Sequence, residues 1–172
     1  MSIIKPIDTQ QQEQVIASTE QYLTRAAAIV QCDLEQITVT FDLKGRAAGM
    51  YCVRQGERWI RYNPYIFAKY FEDNLQQTVA HEVAHYVIDQ VFGQKNVRPH
   101  GKEWQALMCA MGVQPNRTCN YDLQGVPLRR QNYHSYVCAC ASYQLTRRRH
   151  NRIVRDGIRY FCRKCKQPLV MQ

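Results

Sequence analysis

His81-Glu82-Val83-Ala84-His85 sets two imidazoles four positions apart, with a carboxylate beside the first. In an α-helix of 3.6 residues per turn those imidazoles share one face, and both can meet a single Zn²⁺ at about 2.0 to 2.1 Å. Glu82 cannot easily join the same ligand pair. It can reach a zinc-activated water, accept its proton as general base and hand it to a leaving amine. That is the chemistry of a zinc hydrolase. With five histidines in the chain, chance supplies such a pattern only about 0.006 times for this composition. The remaining rivals are a structural zinc and a silent site, and the intact glutamate weighs against both.

A hydrolytic zinc needs a third protein ligand. Ile88 stands where a glycine, and Val91 where a histidine, would continue the metzincin pattern, so that continuation is absent. His100, at the start of a predicted helix, and Glu103, three residues later on the same helical face, are both placed to complete the set, as His₃ or His₂Glu. Asp89, one turn beyond His85, either orients an imidazole through its free N–H or lies solvated on the surface. Tyr62, Tyr65, Tyr86 and Tyr121 are candidates for stabilising an oxyanion.

A second ligand set lies near the C-terminus. Cys138-Ala139-Cys140 and, 21 residues on, Cys162-Arg163-Lys164-Cys165 have the look of the two knuckles of a zinc ribbon, with four thiolates around one structural Zn²⁺. The first knuckle is CxC where CxxC is usual, which leaves His134 or His150 as substitutes for one sulfur. Asp156-Gly157 has the composition of a hairpin turn between Ile153-Val154 and Ile158 to Phe161. The other four of the eight cysteines, Cys32, Cys52, Cys109 and Cys119, are isolated and expected to pack as small hydrophobes.

Charge divides the chain at the same place. Residues 1–128 hold 12 Lys/Arg against 13 Asp/Glu, whereas residues 129–172 hold 11 Lys/Arg against the single acid Asp156. In that tail Arg129, Arg130, Arg147, Arg148, Arg149 and Arg152 are interleaved with aromatic residues that include Tyr136 and Tyr160. Cations neutralise phosphates and aromatic faces stack unpaired bases, so a nucleic-acid surface, with single-stranded DNA favoured, is expected over a merely solubilising face.

The elements that must position these groups follow from periodicity. Residues 9–31 carry Val15, Thr19, Tyr22, Leu23 and Ala26 at helical spacing. Residues 37–41, 48–53 and 58–62 read as three short strands joined at Lys44-Gly45-Arg46 and Gln55-Gly56, which predicts a small antiparallel sheet. Asn63-Pro64 ends the last strand, and a short helix over 65–71 follows. Leu75, Val79, Val83, Tyr86 and Val87 trace the buried face of the helix that carries His81 and His85, with Asp73 or Asn74 as its cap and Gly93 as its stop. Trp104, Leu107, Met108 and Met111 mark a further helix.

A chain of 172 residues supports one domain with a core and a small appendix. At 45% hydrophobic and 22% charged, with no apolar run near 18 residues, no transmembrane helix is expected. The opening Met1-Ser2-Ile3-Ile4-Lys5-Pro6 lacks the pattern of a signal peptide, which predicts a cytoplasmic location.

His81-Glu82-Val83-Ala84-His85 followed by Arg98-Pro99-His100-Gly101-Lys102-Glu103-Trp104, together with Ile60-Arg61-Tyr62-Asn63-Pro64, Arg147-Arg148-Arg149-His150-Asn151 and the closing cysteine pairs, resembles the SprT family of zinc metalloproteases over nearly the whole chain. That family is related to the eukaryotic DNA-repair protease Spartan. The resemblance implies that the histidine of the His-Gly step, His100, is the third ligand ahead of Glu103. It also implies protein substrates bound or crosslinked to DNA. The expected architecture is α+β: a zincin-like metalloprotease domain over 1–128 with one catalytic zinc at His81, His85 and His100, and a basic zinc-ribbon domain over 129–172 with one structural zinc. The alternatives are a non-proteolytic zinc hydrolase acting on RNA and a DNA-binding adaptor with a silent metal site.

Overall fold

The computed structural model describes residues 4–93, 95–128 and 132–172. Arg129 and Arg130 of the basic tail, and Met1-Ser2-Ile3 of the start, lie outside the described residues. The chain divides into two compact units, residues 1–128 and residues 129–172.

In the first unit, α1 (Thr9–Val30) begins at a capping box, where Asp8 Oδ1 accepts from Gln11 N at 2.8 Å and Gln11 Oε1 accepts from Asp8 N at 3.1 Å. Its buried stripe is Val15, Thr19, Leu23 and Ala26. β1 (Thr38–Thr40), β2 (Gly49–Arg54) and β3 (Glu57–Tyr62) form a sheet in the order β1-β3-β2. The expected all-antiparallel sheet is corrected here, because β1 runs parallel to β3 while β2 pairs antiparallel with it. The reason is burial. Ile60 and Tyr62, both fully buried, make β3 the most buried strand, as suits the centre of the sheet. The segment around Lys44-Gly45-Arg46 is a loop that buries Leu43 and ties Leu43 N to Tyr62 O before the chain reaches the far side of β3. Gln55-Gly56 is a true hairpin turn, with both residues at positive φ (52° and 89°), as a type I′ turn demands.

Asn63 caps α2 (Pro64–Lys69) by accepting from Tyr65 N and Ile66 N, with Pro64 in the first helical position. The short helix α3 (Phe71–Asp73) continues through a π turn at Asn74–Thr78 into α4 (Val79–Phe92). Neither Asp73 nor Asn74 caps α4, contrary to expectation, since the chain never leaves helical geometry there. Asn74 instead supports the wide turn from inside, donating to Tyr70 O at 2.7 Å and accepting from Thr78 Oγ1 at 2.6 Å. α4 ends at Gly93, φ 77°, and α5 (Lys102–Ala110) follows the loop. Val79, Val83 and Val87 of α4 meet Val15 and Leu23 of α1, Ile60 and Tyr62 of β3, and Trp104, Met108 and Met111 in one core.

The second unit is a sheet in the order β5-β4-β6, built from β4 (Tyr133–Cys138), β5 (Ala141–Thr146) and β6 (Val170–Met171), with α6 (Arg147–Asp156) between β5 and β6. α6 overturns the expected hairpin at Asp156-Gly157. Arg147 to Arg155 lack the alternating apolar residues of a strand, and Gly157, φ 64°, closes the helix as a left-handed cap. The isolated cysteines are corrected as well: Cys32, Cys109 and Cys119 are exposed and Cys52 is half-buried. They sit beyond the end of α1, on the outward side of α5, in the loop after it and on the edge strand β2, where no core is available. No helix among the described residues is long and apolar enough to cross a membrane.

Gln55 holds a left-handed conformation that strains most L side chains and suits Asn. Gln55→Asn is expected to stabilise the first unit by about 0.5 kcal/mol, read as a higher urea midpoint at unchanged slope.

Candidate functional site

α4 and the turn before α5 bring three imidazoles together. His85 Nε2 lies 3.1 Å from His81 Nε2 and 3.0 Å from His100 Nε2, and His100 Nε2 lies 3.0 Å from His81 Nε2. A tetrahedral zinc separates its nitrogen ligands by roughly 3.3 to 3.4 Å when its bonds are about 2.0 to 2.1 Å. The donor triangle therefore fits such an ion. Burial drives all three rings toward the neutral form that offers a lone pair. The His81 ring is lowered to about 4, chiefly by burial and then by His100, and His85 to about 3 by burial and its two neighbours. His100 is lowered by burial and by the nearby Arg117 guanidinium. His100 reaches the group from a positive φ of 57°, strained for a residue with a side chain. Glu103 is not part of the cluster.

Trp104 closes one side of the triangle. Its ring centroid lies 4.8, 5.7 and 4.7 Å from those of His81, His85 and His100, and its Nε1 donates to His81 O at 3.4 Å. Trp104, buried in the core, is thus also a wall of the site.

Glu82, the next residue of α4, reaches the edge strand of the sheet. It is 6% exposed, and its Oε2 accepts from the N–H of Tyr51 on β2 at 2.7 Å. Burial raises its carboxyl to about 7, against the opposing pull of that N–H. A Cβ at Gly49 would stand 2.7 Å from Glu82 Cγ and 2.8 Å from both Glu82 Oε1 and Thr78 Cγ2, so only glycine lets the edge strand approach the carboxylate this closely. A cavity of about 210 Å³ is lined by Gly49, Thr78, His81, Glu82, Arg46, Arg117, Cys119 and Tyr121. Gly49, the Tyr51 N–H and Arg117 carry no motif of their own, and periodicity does not single them out.

Asp89 is 7% exposed, which removes the solvated reading. It accepts from Tyr51 Oη at 2.6 Å and from Arg58 Nε at 2.9 Å. Among the tyrosines, Tyr62 is buried against Thr19 Oγ1, and Tyr86 donates to Glu35 O. Tyr65 is half-buried beside Ala48, Ile66 and Val126. Tyr121 donates to Asp73 and is the one of the four that lines the cavity.

In the second unit Cys138, Cys140, Cys162 and Cys165 place all four sulfurs within 4.8 Å of one another. The Cys138–Cys140 and Cys140–Cys162 separations are both 3.6 Å, close to the roughly 3.8 Å edge of a tetrahedral ZnS₄ site. Cys162 is lowered to about 5 by the Tyr143 hydroxyl, 2.9 Å from its Sγ, and by the N–H of Cys165, which favours the thiolate that a metal binds. His134 and His150 are not in this cluster. Their rings stack on each other at 3.6 Å, and His150 Nδ1 meets Tyr136 Oη at 3.1 Å.

That hydrogen bond accompanies a correction. Tyr136 is 1% exposed and belongs to the core of the second unit, so its ring has no free face for a base. Tyr160 is half-buried, with the Arg149 guanidinium 5.9 Å over its ring. Arg147, Arg148, Arg149 and Arg152 are all exposed on α6.

Known proteins resemble the chain over most of its length. The SprT-like family model matches residues 13–128. Protein SprT of Shewanella oneidensis is 34% identical over 161 residues, covering 93% of this chain and 99% of its own. Protein SprT of Vibrio parahaemolyticus is 38% identical over 133 residues, covering 77% and 76%, and that of Pseudomonas savastanoi is 40% identical over 135 residues, covering 77% and 78%. No solved structure matches the chain.

The purified chain is expected to hold two zinc ions. His100→Ala should lower that toward one after dialysis, while Glu103→Ala should leave both, measured by elemental analysis. Loss on Glu103→Ala with retention on His100→Ala would make the first site His₂Glu.

Proposed function

The chain belongs to the SprT-like family, and from that premise and the site geometry we propose that it is a zincin-type metallopeptidase acting on DNA-associated proteins. The observation that carries the reading is the three-nitrogen triangle, two of whose imidazoles share α4 with a buried glutamate, with His81 and Glu82 lining one cavity. His81, His85 and His100 would hold the zinc, and Cys138, Cys140, Cys162 and Cys165 a second, structural one. When bound at the histidines, zinc supplies positive charge that polarises a carbonyl and makes a water easier to deprotonate.

Glu82 does the proton work. The Tyr51 N–H fixes Oε2, and no donor among the described residues takes Oε1, which is left to accept a proton from the attacking water. Burial favours the protonated carboxyl, so Glu82 can hold that proton and release it to the departing amine. Water adds its oxygen to the carbonyl carbon, the C–N bond breaks, and an acid and an amine leave. Trp104 excludes solvent from one side of the imidazoles, and the cavity between Gly49 and Arg117 gives the substrate its approach.

The tail arginines support the DNA part of the reading. Arg147, Arg148, Arg149 and Arg152 are exposed on one short helix, and no carboxylate forms an ion pair with them among the described residues. With Tyr136 buried, phosphate contacts carry more of the proposed binding than base stacking does.

Glu82→Gln should abolish cleavage of a DNA-bound protein while zinc content stays the same, because the amide keeps the shape and cannot take the proton. The test incubates the chain and this variant with DNA-bound protein, free protein and RNA. Cleavage of RNA alone would replace the peptidase reading, and equal cleavage by the variant would remove Glu82 as base.

Reversing Arg147, Arg148 and Arg149 to Glu should weaken DNA binding and flatten its salt dependence, by roughly 0.7 to 0.9 in log–log slope for each lost phosphate contact. Fluorescence anisotropy across a salt series measures both. An unchanged slope would place the DNA contact elsewhere.

A further inference from the structure

Tyr51 of the edge strand grips α4 at two separate points. Its N–H donates to Glu82 Oε2 at 2.7 Å, and its hydroxyl donates to Asp89 Oδ2 at 2.6 Å. Those two carboxylates are seven positions apart, about 10.5 Å along a helix axis. The turn between them carries His85 and Tyr86. The Tyr51 ring lies 6.0 Å from that of Tyr86, and Tyr51 lines a cavity of about 70 Å³ together with His85, Asp89 and His100.

The second grip is itself anchored. Asp89 also accepts from Arg58 Nε of β3 at 2.9 Å. Arg58 pairs across the hairpin with Val53, while Tyr51 pairs with Ile60, so the two donors are diagonal neighbours on one face of the β2–β3 ladder. Both strands of the hairpin therefore converge on one carboxylate of α4.

We propose that Tyr51 is a positioning residue for the general base: its hydroxyl, locked on Asp89, fixes the strand at the very residue whose N–H fixes Glu82. The inference rests on reading Glu82 as that base. β2 is paired with β3 along one edge only, and an edge strand moves unless something ties its free side. The tyrosine ties it with a ring that has only two side-chain torsions to restrain, which makes it a stiff strut. Without the hydroxyl the strand is free to shift against α4, and the N–H shifts with it. A misplacement near 1 Å is enough to cost about 100-fold in a reaction that depends on alignment.

Tyr51→Phe removes the hydroxyl and keeps both the ring and the N–H. In the zinc-loaded full chain, kcat on a protein substrate is expected to fall tenfold or more with KM within twofold and zinc content unchanged. Amide hydrogen exchange at position 51 should rise at least tenfold, while exchange at Val83 and Val87 stays as in the parent. Asp89→Ala removes the same bond from the other side and should reproduce the faster exchange at position 51. An unchanged kcat overturns the inference even if exchange rises, and a fall in kcat accompanied by zinc loss or by faster exchange at Val83 and Val87 overturns it in favour of a general structural role. Should the parent chain cleave no protein at all, the peptidase reading fails on that result. The exchange at position 51 then decides separately whether the hydroxyl holds the strand, and no change there sinks the strut as well.

Discussion

Three imidazole nitrogens held 3.0 to 3.1 Å apart are the constraint on which the rest of the first unit depends. Such an arrangement is unfavourable for charged rings, and burial meets that condition by keeping His81, His85 and His100 neutral. The same burial has to be built. α4 supplies it by packing Val79, Val83 and Val87 into the core on one side, and Trp104 covers the imidazoles on another. Only His100 comes from outside α4, and its left-handed backbone shows that the loop before α5 is shaped to deliver it.

The sheet acts on the neighbouring residue of the same helix. β3 takes the centre because Ile60 and Tyr62 are the side chains to bury, which leaves β2 at the edge, beside α4. There Gly49 and Tyr51 meet Glu82, one by the absence of a side chain and the other through its backbone N–H. The buried carboxylate therefore has a defined partner and a raised affinity for a proton, both consequences of how a three-stranded sheet orders itself. In the second unit the balance differs. Its buried residues among those described are few, Tyr136, Leu145 and Cys162 among them, and a module with so small a core would gain stability from a metal held at its four cysteines.

Periodicity and spacing were enough to place α1, α4 and α5 and to single out His81, His85 and the four clustered cysteines, because a helical face and a short motif are local in sequence, whereas the choice of His100 over Glu103 came from the family resemblance. The mixed α+β class and the SprT family likewise followed from residues that stand close together or in motifs. Strand order was not legible: three short runs do not reveal that β3 lies between β1 and β2, since that is decided by what each buries in three dimensions. The Asp156-Gly157 pair shows a second limit. A glycine after an acid suits a hairpin turn or a helix end equally, and the arginine-rich residues before it, which sit well in a helix, decide for the latter. Tyr136 shows a third, because an aromatic among arginines looks the same in sequence whether it faces bases or fills a core. Arg58, Tyr51 and Asp89 come from separate elements: the hairpin register sets the first two on one face, and packing against α4 brings them to Asp89.

The central claim is that one chain builds a nitrogen site at its imidazoles and a sulfur site at its cysteines. X-ray absorption at the zinc edge of the purified full chain tests it most directly. The account predicts a mixed first shell, sulfur at about 2.3 Å and nitrogen or oxygen at about 2.0 to 2.1 Å in comparable weight, with the outer-shell scattering of imidazole. Converting Cys138, Cys140, Cys162 and Cys165 to serine should leave only the shorter shell. A spectrum of sulfur alone in the parent chain, with no imidazole scattering, would contradict the account.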